Sequence, residues 1–367
     1  MSGTDRKIGV GIVGLTPGRS WAATAHVPAL RALPDYALVG VANSSMGSSQ
    51  RAAEACGIPQ AFPDAASLAR DPAVDLVAVT VKVPHHRALV DAALDAGKMV
   101  YCEWPLGRTL ADAEAMAARA QALGIRTAVG LQARSSPLVR YVRDLVRDGY
   151  VGEVLSTTLV GSAMIGAAST SERQAYLYDR ENGATAFTIP FGHTLDALCW
   201  VLGDFREVEA RLGTRRKTVT IQETGEQRPM EAADQIVVGG VLESGAVVSA
   251  HYRGGLCRGT NLLWEINGTD GDLRITADNG HMQMVELSLW GGRGDDAGLS
   301  RIDVPPAYRT MPDEVSGFPV NVGEAYARFA QGPDATDPLP DFAEAVKHHC
   351  LLDTIARAAA TGNRIQL

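Results

Sequence analysis

The chain has 367 residues, of which 46% are hydrophobic and 21% charged, and its formal net charge is −8. This composition excludes a disordered chain and offers no cationic surplus for a nucleic-acid backbone. No apolar run reaches the roughly 18 residues of a membrane span, the first residues lack the apolar region of a signal peptide, and the five cysteines have no CxxC spacing. We therefore expect a cytoplasmic protein with no metal site and no nucleic-acid or membrane partner.

In the first third of the chain, short apolar runs alternate with helical patterns. The predicted strands are residues 8–13, 37–42, 74–83, 98–102 and 126–131. The predicted helices are residues 22–33, 48–55, 84–96 and 110–123. Continuous apolar strands separated by helices are typical of a parallel sheet covered on both faces. The pattern predicts an α/β Rossmann-like dinucleotide-binding domain over residues 1–133.

The remainder of the chain has a different pattern, in which strands follow one another. They are predicted at residues 153–160, 207–212, 235–242, 247–252, 262–266, 272–275 and 283–289. Helices are predicted at residues 137–148, 191–202, 321–330 and 339–360. Alternating apolar and polar residues indicate a large, mainly antiparallel open sheet. We predict an α+β substrate-binding and dimerisation domain over residues 134–367, with C-terminal helices packing back toward the first domain and a homodimer that covers the open sheet face.

A run of glycines, Gly9-Val-Gly11-Ile-Val-Gly14, ends the first predicted strand. Small residues there let the backbone approach a pyrophosphate at the start of a helix. Thr16 stands where a glycine is usual, and Pro17-Gly18-Arg19-Ser20 lengthens the turn. Because the glycine run begins the first βα unit, nucleotide binding is favoured over a turn that binds nothing. The predicted contacts in this turn are Gly11, Gly14, Leu15, Thr16, Arg19, Ser20 and Trp21.

The second strand ends in Asn43-Ser44-Ser45, without the carboxylate that NAD sites place against the ribose 2′-hydroxyl. These three residues are predicted cofactor contacts, and the missing charge favours NADP over NAD as the cofactor. The two serines, with Arg19 or Arg51, could donate hydrogen bonds to a 2′-phosphate. An ordinary polar turn is the alternative.

Several later motifs carry a family resemblance. They are His86 in the helix after the third strand, Glu103-Trp104-Pro105-Leu106 after the fourth strand, Gly130-Leu-Gln132-Ala-Arg134 after the fifth, and the helix that carries His193. Jointly they resemble the Gfo/Idh/MocA family (glucose–fructose oxidoreductase and inositol dehydrogenase). Residues 131–137, 176–183 and 191–196 are similar to the branch that contains the fungal galactose-regulon repressors, which bind a nicotinamide nucleotide yet act as regulators.

The resemblance implies a nucleotide along the carboxyl ends of the first-domain strands, with its nicotinamide facing the second-domain sheet and the substrate between the two. Further cofactor contacts implied in this way are Val81, Lys82, Val83, His86, Glu103, Trp104 and Gln132. Family dehydrogenases use a lysine in Glu-Lys-Pro and a histidine on the second-domain helix.

The sequence departs from that pattern at two positions. Trp104 stands where the lysine is usual, and an indole has one N–H donor and no charge. Ile189 occupies the place of the usual substrate aspartate, so that Thr188 is at best a substitute. His193 remains as the candidate acid/base, and Asp196, three residues on, could fix its tautomer. A structural histidine is the alternative.

Lys82 interrupts a valine run at the end of a predicted strand and could replace the missing lysine, with a pKa lowered by partial burial. Alternatively, it is a surface lysine that pairs with Glu103. The predicted substrate contacts are Trp104, Arg134, Tyr178, Thr188 and Asp196. Arg134 could instead form an inter-domain ion pair, and the aromatic residues could be core.

Together these features predict an NAD(P)-dependent oxidoreductase that acts on a sugar-like or cyclitol-like hydroxyl or carbonyl group. His193 and Lys82 are its predicted catalytic residues. The alternative function is a catalytically silent nucleotide-binding regulator.

Overall fold

The structure is a computed structural model that describes residues 6–333, 335 and 337–367. The chain divides into two compact units. Unit 1 contains the residues up to Ser135 together with Arg309–Lys347, and unit 2 contains Ser136–Tyr308 and His348–Leu367. The predicted boundary at residue 133 lies close to Ser135, but residues 309–347, which we assigned to the second domain, belong to unit 1.

The elements are as follows in chain order. The strands are β1 (Ile8–Val13), β2 (Tyr36–Ala42), β3 (Gln60–Phe62), β4 (Leu76–Val79), β5 (Met99–Glu103), β6 (Thr127–Gly130), β7 (Val154–Ala163), β8 (Ser169–Thr170), β9 (Phe205–Gly213), β10 (Thr218–Ile221), β11 (Gln227–Pro229), β12 (Gln235–Leu242), β13 (Val247–Gly254), β14 (Leu262–Gly268), β15 (Gly271–Ala277), β16 (Ser288–Arg293), β17 (Ser300–Ile302) and β18 (Ile365–Gln366). The helices are α1 (Val27–Ala32), α2 (Met46–Ala55), α3 (Ala65–Arg70), α4 (His86–Asp95), α5 (Leu110–Ala122), α6 (Pro137–Arg147), α7 (Gly192–Leu202), α8 (Pro319–Ala330) and α9 (Phe342–Thr361).

Unit 1 is built on a parallel six-stranded sheet with the order β3-β2-β1-β4-β5-β6. Its central strands are apolar and almost fully buried, as the sequence predicts for a sheet covered on both faces. The Rossmann fold is therefore confirmed. Helix α8 belongs to this unit because Tyr326 is fully buried in its core and accepts a hydrogen bond at its backbone carbonyl from the Tyr36 hydroxyl.

Two local predictions in unit 1 differ from the structure. The strand predicted over 74–83 is the shorter β4, because a 3₁₀ turn, Val83–His85, follows Lys82. Strand β3 and helix α3 had no counterpart in the prediction, since each is short and the strand carries no clear apolar alternation.

Unit 2 contains a nine-stranded sheet with the order β17-β16-β15-β14-β7-β13-β12-β9-β18. All pairs of adjacent strands in this sheet are antiparallel except the pair β7 and β13, which is parallel. Burial alternates along β13, so that one face is packed and the other exposed, which confirms the predicted mainly antiparallel open sheet. The homodimer through this face stays a prediction.

Unit 2 also differs locally from the prediction. A three-stranded sheet, β11-β10-β8, was not predicted. The last predicted strand, residues 283–289, lies several residues later as β16, because residues 279–284 form a buried turn instead. Within the described residues, no helix has both the length and the apolar composition needed to cross a bilayer.

Candidate functional site

The glycine turn after β1 requires a glycine at position 14. Gly14 has φ +100°, and a Cβ there would lie 2.5 Å from Cγ1 of Val81. The Thr80 hydroxyl donates a 2.9 Å hydrogen bond to the Val13 carbonyl. The carboxyl ends of β1 and β4 are therefore held together at the edge where this fold places its nucleotide.

The backbone N–H groups of this turn already have acceptors within unit 1. Gly14 donates to the Ala42 carbonyl, Leu15 to Oδ1 of Asn43 at 2.9 Å, and Thr16 to Oγ of Ser20 at 2.9 Å. The Asn43 amide also donates to the Leu15 carbonyl at 2.9 Å. Asn43 and Ser20 thus shape the turn, which is a different role from the direct cofactor contact predicted for them.

Ser45 is the N-cap of α2. Its hydroxyl accepts from the Ser48 backbone, and the Ser48 hydroxyl accepts from the Ser45 backbone, which makes a capping box. Ser44 and Arg19, the other predicted donors to a 2′-phosphate, have exposed side chains. Helix capping therefore already uses one of the two serine hydroxyls assigned to the phosphate.

Trp21 lies at the start of the first helical segment and packs against Phe318, with ring centroids 5.7 Å apart. Its Nε1 is buried and has no hydrogen-bond partner within the described residues. An indole donor in this state needs an acceptor oxygen, which a dinucleotide phosphate or amide carries. The turn thus fits a dinucleotide, with Gly14 allowing close approach and Trp21 offering a donor.

His86 is buried between two loops. Its Nδ1 lies 3.0 Å from the Pro105 carbonyl and its Nε2 lies 3.0 Å from the Val81 carbonyl. Burial lowers its pKa, and the carbonyl contacts partly oppose that shift. Both ring nitrogens face protein oxygens, so the ring joins the segments that carry Val81 and Pro105, and the cofactor contact of His86 stays a prediction. The neighbouring Trp104 is 4% exposed, and the Trp104–Pro105 peptide is cis.

Glu103, at the end of β5, is held by two partners. Nε2 of Gln132 lies 2.8 Å from both carboxylate oxygens, and Nε2 of His26 lies 3.0 Å from one of them. The other ring nitrogen of His26 lies 2.8 Å from the Tyr326 hydroxyl. The structure thus brings the predicted residues Glu103 and Gln132 together, and it adds His26 and Tyr326, which no sequence motif indicated.

Lys82 is exposed and follows the end of β4. Val83, beside it, is buried. The partial burial that we expected for the lysine is therefore absent. Nor does it interrupt a strand, because β4 ends at Val79.

Arg134 forms an ion pair. Its Nη1 lies 3.1 Å from Oε2 of Glu344, and its side chain is only 11% exposed. Both residues belong to unit 1. The ion-pair alternative is thus observed within one unit instead of between two domains.

His193 lies on α7 and is 3% exposed. Its Nδ1 is buried without a hydrogen-bond partner within the described part of the chain. Burial, and then the charges of His281 and His348, lower its pKa well below 6.5, so the ring is neutral at physiological pH. Asp196 is fully buried on the same helix. It makes no hydrogen bond to Nδ1 of His193, so it does not fix the tautomer of the ring through that atom.

His281 is a polar residue that the sequence analysis missed. It is 4% exposed, both ring nitrogens are buried without a hydrogen-bond partner in the described residues, and burial lowers its pKa to about 4. No motif surrounds it, since Gly280-His281-Met282 resembles an ordinary turn. Only the burial of its ring without partners distinguishes it from a structural residue.

Tyr178 and Thr188, two predicted substrate contacts, have partners within unit 2. Tyr178 is 3% exposed, and burial raises its pKa, an effect that hydrogen bonding to Thr170 opposes. Oγ1 of Thr188 accepts a 2.8 Å hydrogen bond from the Thr185 backbone. Their contacts hold the loop before α7. Among the described residues, no group of three metal-ligating side chains has the geometry to hold a metal ion.

Two family models match this chain. The oxidoreductase-family model for an NAD-binding Rossmann fold matches residues 8–131, and the model for the Gal80p C-terminal domain matches residues 137–277. Unit 1 and most of unit 2 therefore each correspond to a known domain type.

Individual relatives agree with these models. The galactose/lactose metabolism regulatory protein GAL80 of Kluyveromyces lactis is 30% identical over 310 residues, which cover 78% of this chain and 67% of that protein. The dehydrogenase aclE of Aspergillus oryzae is 37% identical over 212 residues, which cover 56% of this chain and 58% of that protein. The solved levoglucosan dehydrogenase, in complex with NADH and levoglucosan, has the same fold, with a TM-score of 0.85, 22% identity and 99% of each chain covered.

The resemblance found in the sequence is thereby confirmed. The Kluyveromyces lactis protein is 30% identical to this chain over 67% of its own length, and each of the two family models matches one half of the fold. This chain belongs to the Gfo/Idh/MocA oxidoreductase family, in the branch whose members carry a Gal80p-type C-terminal domain.

Proposed function

We propose that the protein is an NAD(P)-dependent oxidoreductase that acts on a hydroxyl or carbonyl group of a sugar-like or cyclitol-like substrate. The observation that carries this proposal is His193, a neutral, buried imidazole at the family's acid/base position whose Nδ1 has no hydrogen-bond partner among the described residues. A buried structural histidine is ordinarily hydrogen-bonded, so an unpartnered one indicates a ring kept for a ligand.

In this proposal, His193 accepts the proton of a substrate hydroxyl while the carbinol carbon becomes a carbonyl. Its lowered pKa keeps it unprotonated and ready as a base at neutral pH. When bound, the oxidised nicotinamide nucleotide supplies the hydride acceptor. Unit 1 holds that nucleotide at the turn that carries Gly14, with Trp21 as a donor.

NADP is the proposed cofactor form, with NAD as the alternative. The support is the absence of a carboxylate in Asn43-Ser44-Ser45, together with the exposed side chains of Ser44 and Arg19. Because Ser45 is already used as a helix cap, the preference for NADP is expected to be small.

The second candidate function is a catalytically silent nucleotide-binding regulator. It is favoured by Trp104, a buried indole at the position of the family lysine, and by the similarity to GAL80 regulatory proteins. An indole has no charge with which to stabilise a developing alkoxide. Orientation of the reactants can nonetheless supply much of a rate enhancement, so the missing lysine does not exclude turnover.

The experiment that separates the two functions follows nicotinamide absorbance with NADP or NAD and a panel of levoglucosan, L-sorbose and D-apiose. Turnover is expected in the wild type, and His193→Ala should reduce kcat/KM by about a hundredfold or more, the usual contribution of an acid/base group. His251→Asn is the matched control, since His251 is an exposed histidine of the same unit. Nucleotide binding without substrate-dependent absorbance change across the panel would support the regulator.

A further inference from the structure

His281 lies in the buried turn between β15 and β16. Its ring is 4% exposed, and both ring nitrogens are buried without a hydrogen-bond partner in the described residues. Its backbone N–H is satisfied by Oδ1 of Asn279 at 2.9 Å. The turn therefore meets its own backbone requirements but leaves the imidazole without a partner, which is a rare state for a buried polar group.

The backbone of this turn is fixed in place by contacts at Gly280. The Gly280 N–H donates to the Ser162 carbonyl at 2.8 Å, and the Tyr252 hydroxyl donates to the Gly280 carbonyl at 2.6 Å. A Cβ on Gly280 would lie 2.6 Å from the Ser162 carbonyl oxygen and 2.6 Å from the Tyr252 hydroxyl oxygen. The backbone at position 280 is thus tightly enclosed, and the direction of the next side chain is set.

A further contact joins the turn that carries His281 to the helix that carries His193. The Thr194 hydroxyl lies 3.4 Å from the Gly280 carbonyl, and these residues are the sequence neighbours of the two histidines. A third ring, His348, is held by the Gly192 carbonyl at 2.8 Å.

The chemistry of the rings selects the ligand. Both imidazoles are neutral at physiological pH, because burial lowers both pKa values. A neutral ring has one N–H donor and one acceptor nitrogen, so an anion would satisfy only the donors and an apolar group neither atom. No three-ligand metal arrangement exists among the described residues. A hydroxyl group both donates and accepts, and two neighbouring rings match two neighbouring hydroxyls.

We propose that His281 is a specificity-determining residue that binds the hydroxyl on the carbon next to the reacting one, so that the substrate class is a vicinal diol. The inference rests on the proposed function, in which His193 receives the reacting hydroxyl. His281 takes no proton in the reaction; it orients the second hydroxyl and thereby the carbon from which hydride leaves.

The test compares three probes that differ only in hydroxyl placement: trans-1,2-cyclohexanediol, 1,3-cyclohexanediol and cyclohexanol. Binding to the full chain saturated with NADP is followed through the ring ¹⁵N signals of His193 and His281. We expect the 1,2-diol to perturb both rings and to bind about tenfold more tightly than the other two probes, the effect of one added hydrogen-bonded hydroxyl. His281→Leu should remove that tenfold difference and leave cyclohexanol binding unchanged, whereas His251→Asn should change neither.

The outcomes separate the two proposals, and the wild-type signals remain informative even if His281→Leu does not fold. If the 1,2-diol moves the His193 signal but not that of His281, or if His281→Leu retains the preference for the 1,2-diol, His281 does not read the second hydroxyl and this inference is overturned. If no probe moves the His193 signal and the substrate panel shows no turnover, the proposed function itself fails.

Discussion

The two units differ in their buried histidines, although His348 of unit 2, held by the Gly192 carbonyl, resembles those of unit 1. In unit 1, both ring nitrogens of His26 and of His86 lie within hydrogen-bond distance of protein oxygens. In unit 2, Nδ1 of His193 and both ring nitrogens of His281 have no partner in the described residues. An imidazole with its partners in place stabilises the fold, whereas a buried one without partners costs stability unless a ligand or water satisfies it. The difference supports the proposal that His193 and His281 of unit 2 bind a ligand.

The largest expected effect comes from matched leucine substitutions. His26→Leu leaves Glu103 and the Tyr326 hydroxyl without their shared partner, and it should lower the free energy of unfolding by about 3 kcal/mol, the cost of unpaired buried polar groups. His281→Leu removes two unpartnered nitrogens and should change it by less than about 1 kcal/mol. Urea denaturation of both variants measures the contrast. Equal losses would contradict the distinction between the units.

A smaller effect is expected on acidification. An unfolded-state imidazole titrates near 6.5, whereas the pKa of the buried His281 is about 4. Between these values the unfolded state binds more protons, so the free energy of unfolding falls as the pH falls. From pH 7 to pH 5, His281 should account for about 2 kcal/mol of that loss.

The measurement is denaturation at both pH values. Between pH 7 and pH 5, His281→Leu should lose about 2 kcal/mol less unfolding free energy than the wild type. The control His85→Gln, at an exposed histidine, should lose as much as the wild type. A wild-type protein and His281→Leu with the same pH dependence would show that the His281 ring is already hydrated or paired.

The smallest effect concerns Trp21, a residue of unit 1 whose buried indole nitrogen has no hydrogen-bond partner in the described residues. Trp21→Phe keeps an aromatic ring against Phe318 and removes only the N–H donor. The Kd for NADP should rise about fivefold, equivalent to about 1 kcal/mol, with no loss of stability. Isothermal calorimetry checks this expectation. An unchanged Kd would show that the donor does not contact the nucleotide.

Much of the fold followed from local patterns. Strands β1, β2, β5 and β6 lie within a residue of their predicted bounds, because buried parallel strands are continuous apolar runs bounded by glycine or polar residues. Strand β3 was missed, since three half-exposed residues carry no periodic signal.

The candidate site was less accessible to sequence reasoning. The pairing of Glu103 with Gln132 joins two motifs that the sequence had already identified. By contrast, the role of Asn43 in the glycine turn and of His26 beneath Glu103 depends on partners 28 and 77 residues away. No local pattern encodes such partners. The burial expected for Lys82 was wrong for a similar reason, because the exposure of a side chain depends on where the strand before it ends.

The sequence by itself determined the family and the two kinds of sheet, because these depend on apolar periodicity and on short motifs at characteristic positions. Only the tertiary structure decided that His86 is enclosed by carbonyls, that Arg134 pairs with Glu344, and that the buried His281 ring has no hydrogen-bond partner among the described residues. The physical reason is that a buried ring's partners come from distant segments, and their presence or absence is settled only when those segments pack together.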